Sequence, residues 1–167
     1  MNNAQIGVQA TDYDAGDSGE TVRQLNSFLR GEISASETYR MAVDKLANSS
    51  QTTSQSNVGL LREIQEEHFR AAQTLRDRIQ ELGGDPSDSS GAWGAWATTV
   101  QGTLGIFGDT SALKGLKEGE EHGLKDYQAG IESIDPTSSE LIQNRLIPAQ
   151  QRHITVLDHL MSAVGNA

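Results

Sequence analysis

The sequence predicts an all-α protein, a bundle of four long helices with an extra short helix between the second and third. Three observations carry this. Four stretches place their apolar residues at alternating steps of three and four, which is the seam of a helix packed in a bundle. Polar stretches rich in Gly, Pro, Ser and Asn separate them, as connections do. The chain has only three prolines and few β-branched runs, so its composition leans away from sheet.

Taken in order, residues 1–17 are expected to form a flexible N-terminal tail, and residues 18–167 a single bundle domain, long enough for a real core. Asp17 and Glu20 have the spacing of a capping pair, which starts the first helix near residue 18. Its stripe runs Val22, Leu25, Leu29, Glu32, Ser36, Tyr39, Val43 and Leu46. Residues 47–57, ANSSQTTSQSN, read as a polar connection. The second stripe is Val58, Leu61, Gln65, His68, Ala72, Leu75, Ile79 and Leu82, and Gly83-Gly84-Asp85-Pro86 stops it.

Residues 91–108 carry no charge, and Trp93, Trp96, Val100 and Leu104 keep helical spacing. They are expected to form the short helix, packed across the bundle end or against another subunit. Membrane association is the alternative, though the run is too short and too polar to span a bilayer, which takes ~20 mostly apolar residues. Asp109 or Thr110 can cap the third helix. Its stripe is Leu113, Leu116, Glu120, Leu124, Tyr127, Ile131 and Ile134, and Asp135-Pro136 is expected to end it. Ser138 or Ser139 is expected to cap the last helix, with Leu146, Gln150, His153, Leu157, Leu160 and Val164 on one stripe. Pro148 falls inside it, removes the bond to the Asn144 carbonyl and predicts a kink.

Composition removes several function classes. There is no cysteine, so disulfides and thiolate metal sites are out. A formal charge of −10 opposes a nucleic-acid surface and suits a protein that gathers cations. The N-terminal stretch has neither the basic start nor the apolar run of a signal peptide. The expectation is therefore a soluble, cytoplasmic protein with no nucleic-acid partner and no membrane span, and a homo-oligomer left open. No phosphate loop, nucleophile elbow or HExxH is present, and no catalytic residue is assigned.

The informative residues are the polar ones on the apolar stripes. They are Glu32 on the first helix, Gln65 and His68 on the second, Glu120 on the third, and Gln150 and His153 on the fourth. Each Gln–His pair has i, i+3 spacing and so projects from one face. A lone buried carboxylate is costly and must be paired, protonated or bound to a cation, so these residues are expected to meet. The chain reads as two similar hairpins. Glu32 precedes His68 by 36 residues, and Glu120 precedes His153 by 33. Each Glu follows a glycine, Gly31 or Gly119, and a Tyr comes seven residues later. The glycines are read as places where a neighbouring backbone approaches. Tyr39 and Tyr127 stand about 10.5 Å further along their helices and are read as core packers whose hydroxyls need a partner. His122 and His159 lie off the stripes and read as solvated. Glu63, Glu66, Glu67, Glu118 and Glu121 read as a solvated face, the alternative being that Glu66, Glu67 or Glu121 turns inward.

With these motifs in place, the chain resembles the ferritin-like superfamily, whose carboxylate-bridged di-iron bundles supply Glu from two helices and Glu-x-x-His from the other two. GEISASETY resembles the first-helix segment of bacterioferritin-type proteins, with Glu32 at the ligand position, and QEEH and QQRH fall where the Glu-x-x-His motifs belong. Trp96, KEGEEHGLKDY and the Gln-plus-His last helix are most similar to small bacterial four-helix-bundle proteins of unknown function in that superfamily. Their third helix commonly reads Glu-Arg-Gly-Glu-Asp, matched here by Glu118-Gly119-Glu120-Glu121 with one residue shifted. The resemblance covers roughly residues 20–163 and implies a ferritin-like fold.

It also exposes a departure. Both Glu-x-x-His motifs begin with Gln, at Gln65 and Gln150, where the relatives place glutamates that bridge two metals. An amide nitrogen has no lone pair to give, and Glu32 and Glu120 offset only one divalent ion. A di-iron ferroxidase is therefore not expected. Two readings stand. In one, Glu32, His68, Glu120 and His153 hold a single divalent metal (iron, zinc or manganese), with Gln65 and Gln150 as weak or outer ligands. In the other, the same groups form a metal-free polar network in a structural or stress-related bundle that acts through its surface.

Overall fold

The computed structural model describes residues 15–47, 52–91 and 109–165. Helix α1 is Ala15–Ala47, α2 is Thr52–Glu81 and α3 is Asp109–Gly130. The fourth helical rod is continuous but changes character. It comprises α4 (Pro136–Leu141), a π-helical turn (Ile142–Leu146) and α5 (Ile147–Gly165). Among the described residues there is no strand. Nor is any helix long and apolar enough to cross a membrane. The short helix expected over 91–108, with Trp93 and Trp96, lies outside the described residues apart from Gly91.

The stripes are buried as expected, and the boundaries differ at three places. First, α1 begins at Ala15 and α2 at Thr52, so most of the stretch read as a polar connection is helix. Extending an existing helix adds a hydrogen bond per residue without a new nucleus, so Ser, Thr and Gln continue a turn that apolar packing has started; Asn57 is buried in it. Second, the third helix stops earlier than expected, at Gly130, and passes through a 3₁₀ turn, Ile131–Ser133. Third, Asp135 caps the last rod rather than Ser138 or Ser139. Its carboxylate accepts from the Thr137 and Ser138 amides, with Pro136 in the first turn, where a missing N–H costs nothing. The stop after α2 is as expected. Gly83 has φ +73°, and its amide and that of Gly84 return to the carbonyls of Gln80 and Ile79, the Schellman pattern.

After α2 the chain turns back along α1. Asn26 donates to the Asp85 carbonyl and accepts from the Ser87 amide. Further along, Arg30 donates to the Ser87 hydroxyl, and Ser90 donates to Glu37. The strap thus runs toward the C-terminal end of α1, so α3 can start there and lie antiparallel to α1.

The core is two apolar clusters. One gathers Tyr39, Val43, Leu61, Leu113, Leu116 and Leu157 with their neighbours. The other gathers Leu25, Phe28, Leu75, Tyr127, Ile142 and Leu146. The polar residues singled out from the stripes form the layer between them.

Candidate metal centre

Glu32 on α1, His68 on α2, Glu120 on α3 and His153 on α5 converge in that layer, exposed by only 5, 1, 2 and 4 %. Each comes from a different helix, and each occupies an inward position of a 3-4 stripe, which is why the side chains meet. His68 is the hinge of the cluster. Its Nδ1 lies 2.7 Å from Glu32 Oε2, and its Nε2 lies 3.0 Å from Glu120 Oε1. Two acceptor-only carboxylates, one on each ring nitrogen, require both nitrogens to donate, so His68 is an imidazolium here. Burial by itself would depress its pKa. The charges of Glu120 and Glu32 and the bonds to them outweigh this and raise it to about 10. The reverse holds for Glu120. Burial would raise it, but His68 and His153 bring it down to about 2.

The tyrosines explain the repeated Gly-Glu…Tyr pattern. The Tyr39 hydroxyl donates to Glu120, and that of Tyr127 donates to Glu32. Because α1 and α3 are antiparallel, a Tyr two turns after its own Glu lands beside the Glu of the other hairpin. The partners these hydroxyls need are therefore each other's carboxylates. Burial first, then the adjacent carboxylate, pushes both phenols well above their usual pKa.

The glycines act differently from the expectation. A Cβ at Gly31 would meet nothing within 4 Å. Gly31 and Gly119 instead line a cavity of about 70 Å³ between α1 and α3, floored by Glu32, Glu120 and His68. Close approach occurs elsewhere. A Cβ at Gly123 would come 2.8 Å from Gln150 Nε2, and one at Gly130 within 2.6 Å of the Phe28 ring. Gln150 is buried, and its amide donates to the backbone carbonyl of Glu120 at 3.1 Å. Gln65 is only half-buried.

On the α2–α5 side the cluster reaches the surface. His153 Nδ1 lies 3.3 Å from Glu120 Oε2, and its Nε2 lies 3.0 Å from Glu67 Oε2, which also accepts from Arg152. The sequence offers Glu67 as part of a solvated face or as a residue rotated inward, and in the fold it turns in, toward His153. Burial works against its charge, yet His153 and then Arg152 hold its pKa below the ordinary value. His122 and His159 are exposed, as expected.

Pro148 also has a different consequence from a simple loss of one bond. The turn before it opens into the π-helical segment Ile142–Leu146, and the Ile147 amide reaches back to the Ile142 carbonyl. A wide turn of this kind removes part of the carbonyl clash a proline causes.

His68, Glu120 and His153 each offer a ligand atom, all within 4.8 Å of one another. Glu32 stands behind His68, on its other ring nitrogen. A tetrahedral ion with bonds of 2.0–2.2 Å needs donors about 3.3–3.6 Å apart, which the observed 3.0 Å, 3.3 Å and upper limit of 4.8 Å bracket.

Fold and centre together define a ferritin-like helical bundle. Residues 20–133 match a family described as a domain of unknown function, DUF2383, and the chain belongs to that family. Among solved structures it is similar to one titled "ferritin like, diiron-carboxylate proteins" from Bacillus anthracis str. Ames. The TM-score is 0.70 and the identity 20%, over 89% of this chain and 99% of that one. At that identity the likeness speaks for the fold. No curated protein matches the chain.

Proposed function

We propose that this protein binds one divalent cation at mid-bundle through His68 Nε2, Glu120 and His153 Nδ1. The observation that carries the reading is the convergence of these three buried donors, from three helices, within 4.8 Å. Glu32, on Nδ1 of His68, keeps that ring aimed at the centre and balances its charge, as carboxylates behind metal-bound histidines do. Tyr39 and Tyr127 fix the two carboxylates in place. A bound cation would supply positive charge to a core that otherwise relies on the His68 proton. Two nitrogen donors and one oxygen suit zinc, iron(II) or manganese.

A di-iron arrangement does not fit these residues. The positions at which the ferritin-like resemblance implies bridging glutamates hold Gln65 and Gln150, and the Gln150 amide is committed to the Glu120 carbonyl. A second reading keeps the same groups as a metal-free tie between helices. It is favoured by His68 standing between two carboxylates, and by every buried side-chain polar atom among the described residues having a partner.

The experiment is elemental analysis of untagged protein, followed by anaerobic iron(II) and zinc titration. About one ion per chain is expected, abolished in His68→Gln or Glu120→Gln. The double variant Gln65→Glu with Gln150→Glu is expected to raise iron capacity from one toward two. A wild type that takes up neither iron nor zinc favours the metal-free tie.

A further inference from the structure

Each of the two inward histidines has a carboxylate on the ring nitrogen that faces away from the centre. For His68 that carboxylate is Glu32, 2.7 Å from Nδ1 and fully inside the bundle. For His153 it is Glu67, 3.0 Å from Nε2, with its side chain 36 % exposed. The two arms have the same chemistry at different depths. An imidazole that gives its Nδ1 lone pair to a cation beside Glu120 has to carry its proton on Nε2, and a fixed acceptor at Nε2 selects that tautomer and that ring angle.

We propose that Glu67 is a positioning residue for His153, the outer counterpart of Glu32, and sets how well the centre holds a divalent cation. The assignment rests on the single-cation reading above. Glu67 comes from α2, directly before His68 in sequence, and crosses to α5 to reach His153. Arg152 pins it there, donating to the same oxygen, Oε2, at 3.0 Å. The arm thus ties together the two helices that supply the histidines. Among the described residues its neighbour Glu66 makes an exposed pair with Arg70 on its own helix, so the two adjacent glutamates differ in what they touch and not in charge.

The test uses the full chain and cobalt(II), whose visible spectrum reports coordination, in wild type, Glu67→Ala, Glu67→Gln and Glu66→Ala. Glu67→Ala is expected to lower cobalt affinity about 10–100-fold. Glu67→Gln keeps an acceptor for Nε2–H and is expected to recover most of that loss. Glu66→Ala is expected to bind as wild type does. In zinc-loaded, ¹⁵N-labelled protein the His153 Nε2–H signal should be visible in wild type and Glu67→Gln, and lost to solvent exchange in Glu67→Ala. Equal losses in Glu67→Gln and Glu66→Ala would show that only net charge matters and overturn the assignment. So would a Glu67→Ala variant with wild-type affinity and an intact Nε2–H signal. A wild type that binds neither cobalt nor zinc overturns the cation reading and this assignment together, whereas wild-type binding untouched by Glu67→Ala overturns this one alone.

Discussion

The two hairpins carry the same residues at nearly the same steps, yet their histidines end in different surroundings. His68 of the first is enclosed by two buried carboxylates, Glu32 and Glu120. His153 of the second shares Glu120 and takes its other partner, Glu67, at the surface. The repeat determines which side chains meet: each Glu, with the Tyr two turns later, pairs with its counterpart across the antiparallel α1–α3 interface. What the repeat does not determine is depth. The second half has a π-helical turn, a proline and a buried Gln150 lying against Gly123. The first half has none of these, and its Gln65 is half-exposed. One histidine is therefore a buried charge between two others, and the other is a connection to solvent.

That contrast can be broken experimentally, and the largest effect should come from His68. His68→Ala leaves two carboxylates in the core without their cation, and removing one partner of a buried pair costs about 3–5 kcal/mol. His153→Ala leaves Glu120 with His68 and Tyr39, and Glu67 with Arg152 and water, so about 1–2 kcal/mol is expected. Urea unfolding in the presence of a chelator measures both. Equal losses would mean that the halves are energetically alike despite their geometry.

An effect of comparable size should appear with pH, spread over the interval in which His68 loses its charge while keeping its ring and one N–H bond. Its folded pKa of about 10 lies above the unfolded value of 6.5. Its contribution is therefore complete below pH 6.5 and is lost as pH rises toward 10, with a slope of up to about 1.4 kcal/mol per pH unit. Glu120 works in the opposite sense. Its folded pKa of about 2 lies below its ordinary 4.5, so its contribution is complete above pH 4.5 and fades as pH falls toward 2. The metal-free protein should be most stable between these limits, at roughly pH 4.5–6.5. A His68→Gln variant should lose the alkaline slope and show a weakened acid one, because the His68 charge is also a main cause of the low Glu120 pKa. If chelated wild type is flat from pH 6.5 to 9, His68 is not an imidazolium in the fold.

The smallest effect sharpens the comparison between the two carboxylates. Among the described residues Glu32 has two side-chain partners, His68 and Tyr127, whereas Glu120 has three, His68, Tyr39 and His153. Tyr127→Phe removes one of two and should cost about 1.5–3 kcal/mol, the range for a bond to a buried charge. Tyr39→Phe removes one of three and should cost nearer to 1 kcal/mol. The opposite order, read from thermal melts of the two variants, would mean that Glu120 depends on its phenol more than its two histidines suggest.

By itself the sequence determined the four stripes, the antiparallel hairpins implied by their short internal connections, and the identity of Glu32, His68, Glu120 and His153 as the residues that meet. Each of these follows from period. A helix repeats every 3.6 residues, so a Glu or His at an inward step of an apolar stripe must enter the core wherever the helix packs. Period also carried the Gly-Glu…Tyr repeat, though not its meaning. That Tyr39 serves Glu120 and Tyr127 serves Glu32 requires the antiparallel contact between α1 and α3, which joins residues 81 and 95 positions apart. The direction of Glu67 was equally out of reach. At the position before His68 it sits about 100° around α2 from the stripe, and only the flank of α5, with His153 and Arg152 on it, turns that position into a partly buried one. Tertiary structure alone also decided that Gly31 opens a cavity while Gly123 receives Gln150, and that Pro148 is accommodated by a π-helical turn. A glycine shows that space is needed and a proline that a bond is missing, but what fills the space or absorbs the missing bond depends on chain segments that sequence period does not bring together.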